Sequence, residues 1–370
     1  MFTDIVILAG GFGERLWPAS QPDCPKQFMT LGNGVSFLQS SVQRALALRP
    51  EGRIIIVTRR ELLGMTADHC RLLAENPQTT PADKEKIKRD LVIIPEPAPK
   101  HTTAPIALSA HYAKLRAPGT RRTLLVLTSD HVIGPVEAFT ADSARAAEAA
   151  EAGNFVCYAI PPTEPATGYG YIRAGEPLDK DGHVFRIAQF KEKPDAATAE
   201  AYLKSGGYWW SSGMFGFDAD LFLAELAACT PEAAAAFHCV TDGEPPQTGK
   251  SGGIQYIEHW AEMDRAYAAA PAIAVDIAVS EKTSRAAAVR ATFSWNDVGS
   301  WDAFEKLSAQ NSGRTIEIQG RNNFVYSDIP VALCGVEDLV IVIKNGSALV
   351  MRKGSSDLVR QAAQALRGSA

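Results

Sequence analysis

The sequence predicts an α/β protein with a doubly wound, mostly parallel sheet, followed by a small unit made of β-strands. Three observations support this prediction. Short apolar runs alternate with helical patterns through the first half of the chain. The apolar runs show little polar alternation, which is typical of strands buried on both faces. After about residue 311, short β-type runs with glycine and asparagine turns replace the helical patterns.

The first half of the chain reads as a regular succession of strands and helices. Its strand-like runs lie at 5–8, 54–57, 91–94, 124–127 and 155–160. Its helical patterns lie at 37–46, 62–73, 104–115 and 139–152. Ser36 is a candidate N-cap of the first helix. Because ligands bind beyond the carboxyl ends of strands in such sheets, the residues after the first and fourth strands are candidates for a site.

The second half is less regular, but it also predicts strands and helices. Strands are expected at 184–190, 209–217 and 286–292, and helices at 196–204 and from residues 218 and 231 onward. The polar stretch 241–253 is expected to be a loop. The C-terminal β unit has strand-like runs at 315–318, 323–326, 340–343 and 348–351, and a helix is expected at 357–366.

Length, charge and cysteine usage narrow the classes of protein to which this chain could belong. The 370 residues exceed what one core usually organises, so we expect a large catalytic domain and a smaller appendage. The formal net charge of −5 provides no basic field for nucleic acid or an anionic membrane. The six cysteines form no C-x-x-C pair, which favours reduced thiols in a cytoplasm. No apolar run predicts a signal peptide or a membrane span.

A glycine-rich turn after the first strand predicts a phosphate site. Gly10, Gly11 and Gly13 allow backbone N–H groups to approach an anion closely. Arg15 follows as a bidentate phosphate donor, and Lys26 adds a point charge. The stretch is therefore suited to hold a chain of phosphates.

Two nucleotide motifs do not match this sequence. A dinucleotide-binding turn would need Gly or Ala where Leu16 stands. A phosphate loop at Gly249-Lys250-Ser251 would need a glycine where Glu244 stands. A tight strand–helix turn would explain the glycines, but it would not explain Arg15 and Lys26.

Four aspartates after strand-like runs are candidates for metal binding. Asp130 and Asp297 each lie in a polar segment, and carboxylates at such positions suit Mg²⁺ beside phosphate oxygens. A helix-capping role stays open for either one. Asp218 and Asp220 resemble a glycosyltransferase metal pair, but we favour the interpretation that they cap the helix that follows.

Taken together, the motifs resemble those of the mannose-1-phosphate guanylyltransferases, within the sugar-nucleotidyltransferase superfamily. The resemblance runs from the first strand to at least Trp301. The motifs that carry it are LAGGFGERLWP, PKQF, EP…TAP, SDH, TGYGYI, FKEKPD, SSGMF, SEKT and SWNDVGSW. The combination of PKQF, TAP and W-x-D-V-G-S-W points to the guanylyl, mannose-type branch.

The resemblance implies a fold, a reaction and a set of ligands. The fold would be a Rossmann-like, GT-A-like catalytic domain over residues 1–312 and a left-handed β-helix-like domain over 313–370. The reaction would convert GTP and α-D-mannose 1-phosphate to GDP-mannose and pyrophosphate. The cofactor would be Mg²⁺, with Mn²⁺ as the alternative, and no nucleic acid or membrane is expected as a partner. Whether the β unit mediates a homodimer or docking stays open.

The residues fall into four expected roles. The catalytic residues are Arg15 and Lys26, which would grip the β- and γ-phosphates, and Lys193, which would hold the sugar 1-phosphate. The nucleotide-binding residues are Leu8, Ala9, Gly10, Gly11, Gly13, Glu96, Thr103 and Ser129. The sugar-phosphate-binding residues are Gly170, Glu192, Lys193, Ser211 and Ser212. The metal ligands are Asp130 and Asp297.

Two departures from the family pattern keep other functions open. Thr102 stands where the family usually has Asn, and Ser211 also replaces Asn. A related enzyme with another sugar 1-phosphate or nucleotide is one alternative. A non-catalytic nucleotide-sugar sensor is a second, although it would be expected to lose the phosphate and metal residues, and Arg15, Lys26, Asp130, Lys193 and Asp297 are all present. A glycosyltransferase that uses the Asp218–Asp220 pair is a third. Lys191–Lys193 is, in its simplest interpretation, a charged strand end.

Overall fold

A computed structural model describes residues 1–11, 13–30, 34–241, 243–308 and 313–368, with backbone only at 14, 367 and 368. The strands within these ranges are β1 (Asp4–Leu8), β2 (Ile54–Arg59), β3 (Leu91–Glu96), β4 (Thr123–Thr128), β5 (Val132–Gly134), β6 (Phe155–Ile160), β7 (Tyr171–Pro177), β8 (Val184–Lys191), β9 (Tyr208–Asp218), β10 (Gln247–Ser251), β11 (Ile254–His259), β12 (Ala286–Arg290), β13 (Ser294–Asn296), β14 (Thr315–Ile318), β15 (Phe324–Ser327), β16 (Val331–Cys334), β17 (Leu339–Lys344) and β18 (Ser347–Arg352). The α-helices are α1 (Phe37–Ala47), α2 (Leu63–Glu75), α3 (Pro81–Asp90), α4 (Thr103–Arg116), α5 (Val136–Glu151), α6 (Ala196–Ser205), α7 (Ala219–Cys229), α8 (Pro231–Ala236), α9 (His238–Thr241), α10 (Ala261–Ala269), α11 (Trp301–Leu307) and α12 (Val359–Gly368).

The chain divides into two compact units that do not follow the order of the sequence. Unit 1 comprises Met1–Gly10, Ser41–Thr128 and Ile133–Trp295. Unit 2 comprises Gly11–Ser40, Ser129–Val132 and Asn296–Ala370. The predicted boundary at 312/313 falls at residues 309–312, which lie outside the described residues. Unit 2 thus gathers two early segments of the chain with its C-terminal part.

Unit 1 is built on a mixed sheet whose order, among the described strands, is β10-β11-β3-β2-β1-β4-β9-β6-β12-β8-β7. Strands β11, β3, β2, β1 and β4 run parallel to one another, as the strand–helix alternation predicts. Strand β9 runs antiparallel to both β4 and β6, and β7 and β8 are antiparallel to each other. The mixed α/β fold is therefore confirmed, with a second half that is less parallel than predicted.

The stretch 241–253 is not a loop throughout, so that prediction is wrong. Strand β10 pairs antiparallel with β11 at the edge of the sheet. Gly252 and Gly253 form the turn between them, with φ angles of +56° and +84°. The sequence of β10 did not predict a strand because its side chains are half-exposed or exposed at the edge of the sheet. The apolar contacts come from β11, in which Ile254 and Ile257 are 1% exposed.

Helix α3 was also missing from the predicted elements. Its sequence, PADKEKIKRD, contains one buried side chain, Ile87, and therefore lacks an apolar period. The start signals were nevertheless present in the sequence. The Thr80 hydroxyl accepts a hydrogen bond from the Asp83 backbone N–H at 3.2 Å, and Pro81 occupies the first turn.

Unit 2 contains short strands that pair in parallel at a constant offset. Strand β14 pairs with β16, and β15 with β17, each with partners 16 residues apart. Arg321 and Glu337 form a further parallel bridge at the same offset, and the Arg321 Nε donates to Glu337 Oε2 at 2.6 Å. The Asn322 side chain donates to Asp338, again 16 residues on, at 2.6 Å. The constant offset indicates stacked coils of chain, which confirms a small C-terminal β region.

The core of unit 2 includes residues from both ends of the sequence. Leu16, Trp17 and Met29 are buried in the same cluster as Trp301, Phe304, Phe324, Val340 and Val359. The Trp301 indole N–H donates to the backbone carbonyl of Trp17 at 2.9 Å. The segment after Gly11 is therefore anchored by packing on the C-terminal elements of its unit.

The described residues contain no α-helix that is both long and apolar enough to pass through a bilayer. All six cysteines are free thiols. Burial raises the pKa of Cys70 to about 12, so this thiol is an inert core residue.

Candidate functional site

Lys26 is the central residue of the predicted phosphate and metal segments. Its side chain is 5% exposed, although it carries a charge. The ammonium donates to Asp130 Oδ2 at 2.9 Å and also to the backbone carbonyl of Asp297. The ring of Phe37 lies beneath it, with 5.5 Å between Nζ and the ring centroid. One buried cation therefore joins segments that are 104 and 271 residues away in sequence.

Gly13 has a steric role that Gly11 does not share. Gly13 adopts a φ of +63°, and a Cβ at this position would lie 2.6 Å from the Cβ of Lys26. Only glycine therefore fits without strain or displacement of the lysine. A Cβ at Gly11 would meet nothing within 4 Å in the described structure. The backbone conformation and this close contact explain the glycine at position 13, whereas a Cβ at position 11 would contact none of the described residues outside its chain neighbours.

Asp297 lies in a tight turn that fixes its carboxylate. Val298 follows with a φ of +47°, and Gly299 donates its N–H to Asp297 Oδ1 at 3.1 Å. The guanidinium of Arg15 lies 3.9 Å from Asp297 Oδ2, and its side chain is 59% exposed. A Cβ at Gly299 would lie 2.6 Å from Asp297 Oδ2, so the glycine makes room for the carboxylate. We call Arg15, Lys26, Asp130 and Asp297 the Lys26 cluster.

The electrostatics of Asp130 favour its ionised form. Its side chain is 37% exposed, and the preceding Ser129 is buried. Burial by itself would raise the pKa of Asp130, but the charges of Lys26 and His131 and the hydrogen bond from Lys26 outweigh it, so the pKa lies below its ordinary value. The His131 Nε2 lies 3.9 Å from Asp130 Oδ1. The carboxylate is therefore charged at neutral pH.

Unit 1 holds the residues predicted to border the base. Glu96 ends strand β3, is 7% exposed, and accepts a hydrogen bond at Oε2 from the Tyr267 hydroxyl at 3.1 Å. A Cβ at Gly10 would lie 2.6 Å from Glu96 Oε1. Burial raises the pKa of Glu96 to about 7, although the Tyr267 hydrogen bond and the Arg59 charge act in the opposite direction.

The other predicted nucleotide residues of unit 1 have mostly structural contacts. Leu8 and Ala9 continue the ladder of β1, and the Ala9 N–H donates to the Val57 carbonyl at 2.8 Å. Thr103 begins helix α4, and among the described residues its buried hydroxyl has no hydrogen-bond partner. The hydroxyl of Thr102, the residue that departs from the family pattern, accepts a hydrogen bond from the Val275 N–H at 2.9 Å.

The predicted sugar-phosphate residues of unit 1 come together around Gly170. A Cβ at Gly170 would lie 2.9 Å from Glu192 Oε2, and the Gly170 carbonyl accepts a 2.8 Å hydrogen bond from the Ser211 N–H. Lys193 has a φ of +41°, and its ammonium lies 2.7 Å from Glu192 Oε1. Its side chain is 61% exposed. We call Gly170, Glu192, Lys193 and Ser211 the Glu192 cluster. Ser212 is buried, and its hydroxyl accepts from Met214 N–H at 3.2 Å.

Asp276 is a neighbour of the Glu192 cluster that sequence reasoning missed. It begins a five-residue π-helix, Asp276–Ser280, a rare geometry that is frequent at functional sites. Burial and the charge of Glu192 raise the pKa of Asp276 to about 7, against the opposing effect of Lys193. Glu281, which closes this helix, accepts a hydrogen bond from the Glu192 N–H at 2.9 Å. The SEKT motif at 280–283 was the available signal, but it does not include Asp276.

The Asp218–Asp220 pair has the capping role that we favoured. Asp218 Oδ1 accepts hydrogen bonds from the N–H groups of Asp220 and Leu221 at 3.0 and 3.1 Å, and so caps helix α7. Its other oxygen accepts from Arg121 at 2.6 Å, and Asp220 pairs with Lys114. The capping interpretation is confirmed for Asp218, and Asp220 lies in the first turn of the same helix.

Comparisons with known proteins extend over nearly the whole chain. Residues 4–312 match a family model for nucleotidyl transferases. A mannose-1-phosphate guanylyltransferase of Escherichia coli K12 is 34% identical over 98% of this chain and 73% of its own length. The mannose-1-phosphate guanylyltransferase RfbM of Salmonella typhimurium is 34% identical over 96% of this chain and 71% of its own length. The crystal structure of a mannose-1-phosphate geranyltransferase from Thermus thermophilus is 30% identical, has a TM-score of 0.80, and covers 99% of this chain and 100% of its own.

Proposed function

The chain belongs to the mannose-1-phosphate guanylyltransferase family of the nucleotidyl transferases, and we propose that it transfers GMP from GTP to α-D-mannose 1-phosphate. The products are GDP-mannose and pyrophosphate. The observation that carries the proposal is the Lys26 cluster, in which a buried cation and an exposed arginine accompany two carboxylates. Such a set of charges suits a triphosphate with a bound divalent ion.

The reaction needs little covalent chemistry from the protein. A phosphate oxygen of mannose 1-phosphate attacks the α-phosphorus of GTP and forms the new P–O bond. The bond from the α-phosphorus to the oxygen that bridges it to the β-phosphorus breaks, and pyrophosphate leaves with the electron pair. Because the attacking phosphate is already anionic, no protein nucleophile is required. Positioning and charge stabilisation account for the catalysis.

In this scheme Arg15 and Lys26 bind the β- and γ-phosphates. They stabilise the negative charge that grows on the leaving pyrophosphate. Gly10, Gly11 and Gly13 offer backbone N–H donors to the phosphates.

The carboxylates of the Lys26 cluster fit a divalent metal, which members of this family generally use. Asp130 is held in its ionised form, and Mg²⁺ typically takes one or two carboxylates together with phosphate oxygens. The described residues contain no group of three or more His, Cys, Asp or Glu side chains that would hold a metal without substrate. We propose Mg²⁺ at Asp130 and Asp297, with Mn²⁺ as the alternative. When bound, the ion neutralises phosphate charge and orients the phosphates.

Most other residues with a proposed ligand-binding role belong to unit 1. Lys193 holds the sugar 1-phosphate, which its 61% exposed side chain supports. Glu192, Gly170, Ser211 and Ser212 bind sugar hydroxyls. The remaining nucleotide-binding residues of this proposal are Leu8, Ala9, Glu96, Thr103 and Ser129, of which Glu96 and Thr103 border the guanine.

Four finer points are also proposed: the domain bounds, the hand of the C-terminal coils, a homodimer and the cellular location. Residues 1–312 form the catalytic domain and 313–370 the C-terminal domain, and the coils of the latter wind as a left-handed β-helix. The constant offset of 16 residues supports coils of one size. A homodimer through this domain and a cytoplasmic location are predictions from the sequence.

The direct test is a pyrophosphate-release panel of four nucleoside triphosphates against several hexose 1-phosphates in the presence of Mg²⁺. We expect GTP with mannose 1-phosphate to give the highest kcat/KM. A preference for another pair would favour a related enzyme, which Thr102 and Ser211 left open. Release with no pair would favour a nucleotide-sugar sensor.

A further inference from the structure

Tyr267 and Glu96 form a buried pair within unit 1. The tyrosine lies on helix α10 and is 1% exposed, and the glutamate ends strand β3 and is 7% exposed. The tyrosine hydroxyl donates to Glu96 Oε2 at 3.1 Å. Because a buried tyrosine hydroxyl needs a partner, this contact fixes the orientation of the carboxyl group.

The second oxygen of Glu96 points to the first glycine of the phosphate turn. Its position leaves no room for a side chain at Gly10, where a Cβ would lie 2.6 Å from Oε1. Arg59 at the end of β2 attracts the charge of Glu96, and Glu61 repels it. Arg59 is 5% exposed and donates to Glu61 at 2.8 Å. The carboxyl group is thus held at the strand ends of the sheet, where α/β proteins bind ligands.

Guanine is the base whose hydrogen-bonding edge matches an oriented carboxylate. Its N1–H and exocyclic N2–H₂ groups are adjacent donors, and a carboxylate offers two acceptor oxygens. Hypoxanthine lacks the amino group, and adenine presents an acceptor at N1. A carboxylate fixed in orientation would therefore select guanine by hydrogen bonds that the other purines do not complete.

We propose that Tyr267 is a positioning residue that orients the Glu96 carboxylate for selection of the guanine base of GTP. The proposal rests on the proposed function, because it concerns how that reaction chooses its nucleotide. Tyr267 itself does not contact the nucleotide in this scheme.

Because Glu96 can titrate, the preference for guanine should depend on pH. Burial raises the pKa of Glu96 to about 7, while the Tyr267 hydrogen bond and the Arg59 charge lower it and the Glu61 charge raises it. Selection by a carboxylate should therefore strengthen as pH rises through about 7. Removal of the tyrosine hydroxyl removes an interaction that favours the charged form, so the transition should move to higher pH.

The experiment measures kcat/KM for GTP and for ITP by pyrophosphate release between about pH 6 and pH 9. In Tyr267→Phe, we expect the preference for GTP over ITP at pH 7.5 to fall about tenfold, as for loss of one hydrogen bond to a charged group. We also expect its GTP profile to shift to higher pH. The matched control is Tyr158→Phe, which removes a buried hydroxyl that is 2.9 Å from Ser143 Oγ, and it should keep the wild-type ratio and profile. An unchanged ratio and profile in Tyr267→Phe would overturn the proposal.

A second variant keeps the test decisive if Tyr267→Phe does not fold. Glu96→Gln retains an acceptor for the Tyr267 hydroxyl, but it replaces one acceptor oxygen with a donor. It should lose the preference for GTP over ITP by at least as much, and that preference should no longer vary between pH 6 and pH 8. If it keeps the wild-type preference, the proposal is wrong. A wild-type protein that releases no pyrophosphate from GTP with any sugar phosphate would instead refute the proposed function.

Discussion

The carboxyl groups of the two units are held in opposite electrostatic states. In unit 2, Asp130 lies beside Lys26 and His131, and its pKa is lowered despite partial burial. In unit 1, burial raises the pKa of Glu96 and of Asp276 to about 7. The pKa values differ because the nearest partners differ in charge. The Lys26 ammonium lies 2.9 Å from the Asp130 carboxylate, whereas a neutral tyrosine hydroxyl lies 3.1 Å from the Glu96 carboxyl group. A carboxylate that stays ionised, such as Asp130, is suited to bind a metal ion beside phosphates. A carboxyl group that titrates near neutral pH, such as Glu96, is suited to hydrogen bonds with neutral groups.

Asp297 should give the largest effect of any single change in the Lys26 cluster. Asp297→Ala should lower kcat by about 10³-fold, because a metal ligand supplies several kcal/mol of charge stabilisation. The measurement is steady-state pyrophosphate release, with circular dichroism as the check on folding. Asp220→Ala is the matched control, since Asp220 is 65% exposed in a surface pair, and it should remain active. Turnover close to wild type in a folded Asp297→Ala protein would remove this residue from the metal site.

Lys26→Ala should lower kcat/KM for GTP by about 10²-fold, as expected for loss of one preorganised donor to a developing anion. Its effect on the thermal midpoint should be smaller, because Asp130 is 37% exposed and water can solvate its carboxylate. Lys204→Ala, at a lysine whose side chain is 78% exposed, should change neither quantity. An unchanged kcat/KM for GTP in Lys26→Ala would contradict the proposed role.

Glu96→Gln should change how stability depends on pH. The pKa of Glu96 is raised from 4.5 to about 7 in the folded protein, so the folded state holds the proton more tightly than the unfolded state. This tighter proton binding stabilises the folded protein fully below about pH 4.5, and the stabilisation is lost as pH rises through 7. The free energy of unfolding of the wild type should therefore fall by about 2 kcal/mol relative to Glu96→Gln between pH 5 and pH 7.

Denaturant unfolding at several pH values measures this difference. Glu200→Gln, at an exposed glutamate, should follow the wild type throughout. The free energies of unfolding of the wild type and of Glu96→Gln could instead change equally with pH between pH 5 and pH 7. In that case Glu96 is ionised over the whole range, and the contrast with Asp130 is wrong.

Gly13 and Gly11 provide a matched pair with the smallest expected effect. Gly13→Ala should destabilise the fold by roughly 1–2 kcal/mol for its left-handed backbone conformation, and should also displace Lys26. Gly11→Ala has space for the methyl group, so it should leave the thermal midpoint unchanged and raise KM for GTP if phosphates approach that backbone. Equal midpoints for the two variants would show that Gly13 is not under steric constraint.

The local pattern of the sequence was sufficient to predict the parallel strands and to identify all four residues of the Lys26 cluster as candidates. Fully buried strands such as β2 and β3 are nearly continuous apolar runs, because both of their faces need apolar side chains. The glycines, Arg15 and Lys26 lie within 17 residues of one another, so their shared chemistry is visible in one short segment. The motifs also indicated the family, which the relatives then confirmed.

Only the tertiary structure decided which segments meet. Residues from Gly11 onward pack with the C-terminal strands of unit 2, and Tyr267 reaches a glutamate 171 residues earlier. The pKa of Glu96 depends on burial by such distant segments, and the exposed edge strand β10 depends on its partner β11. Apolar periodicity is a property of neighbours along the chain, so it determines helices and strands. Long-range contacts and desolvation arise from packing between segments, which no local pattern records.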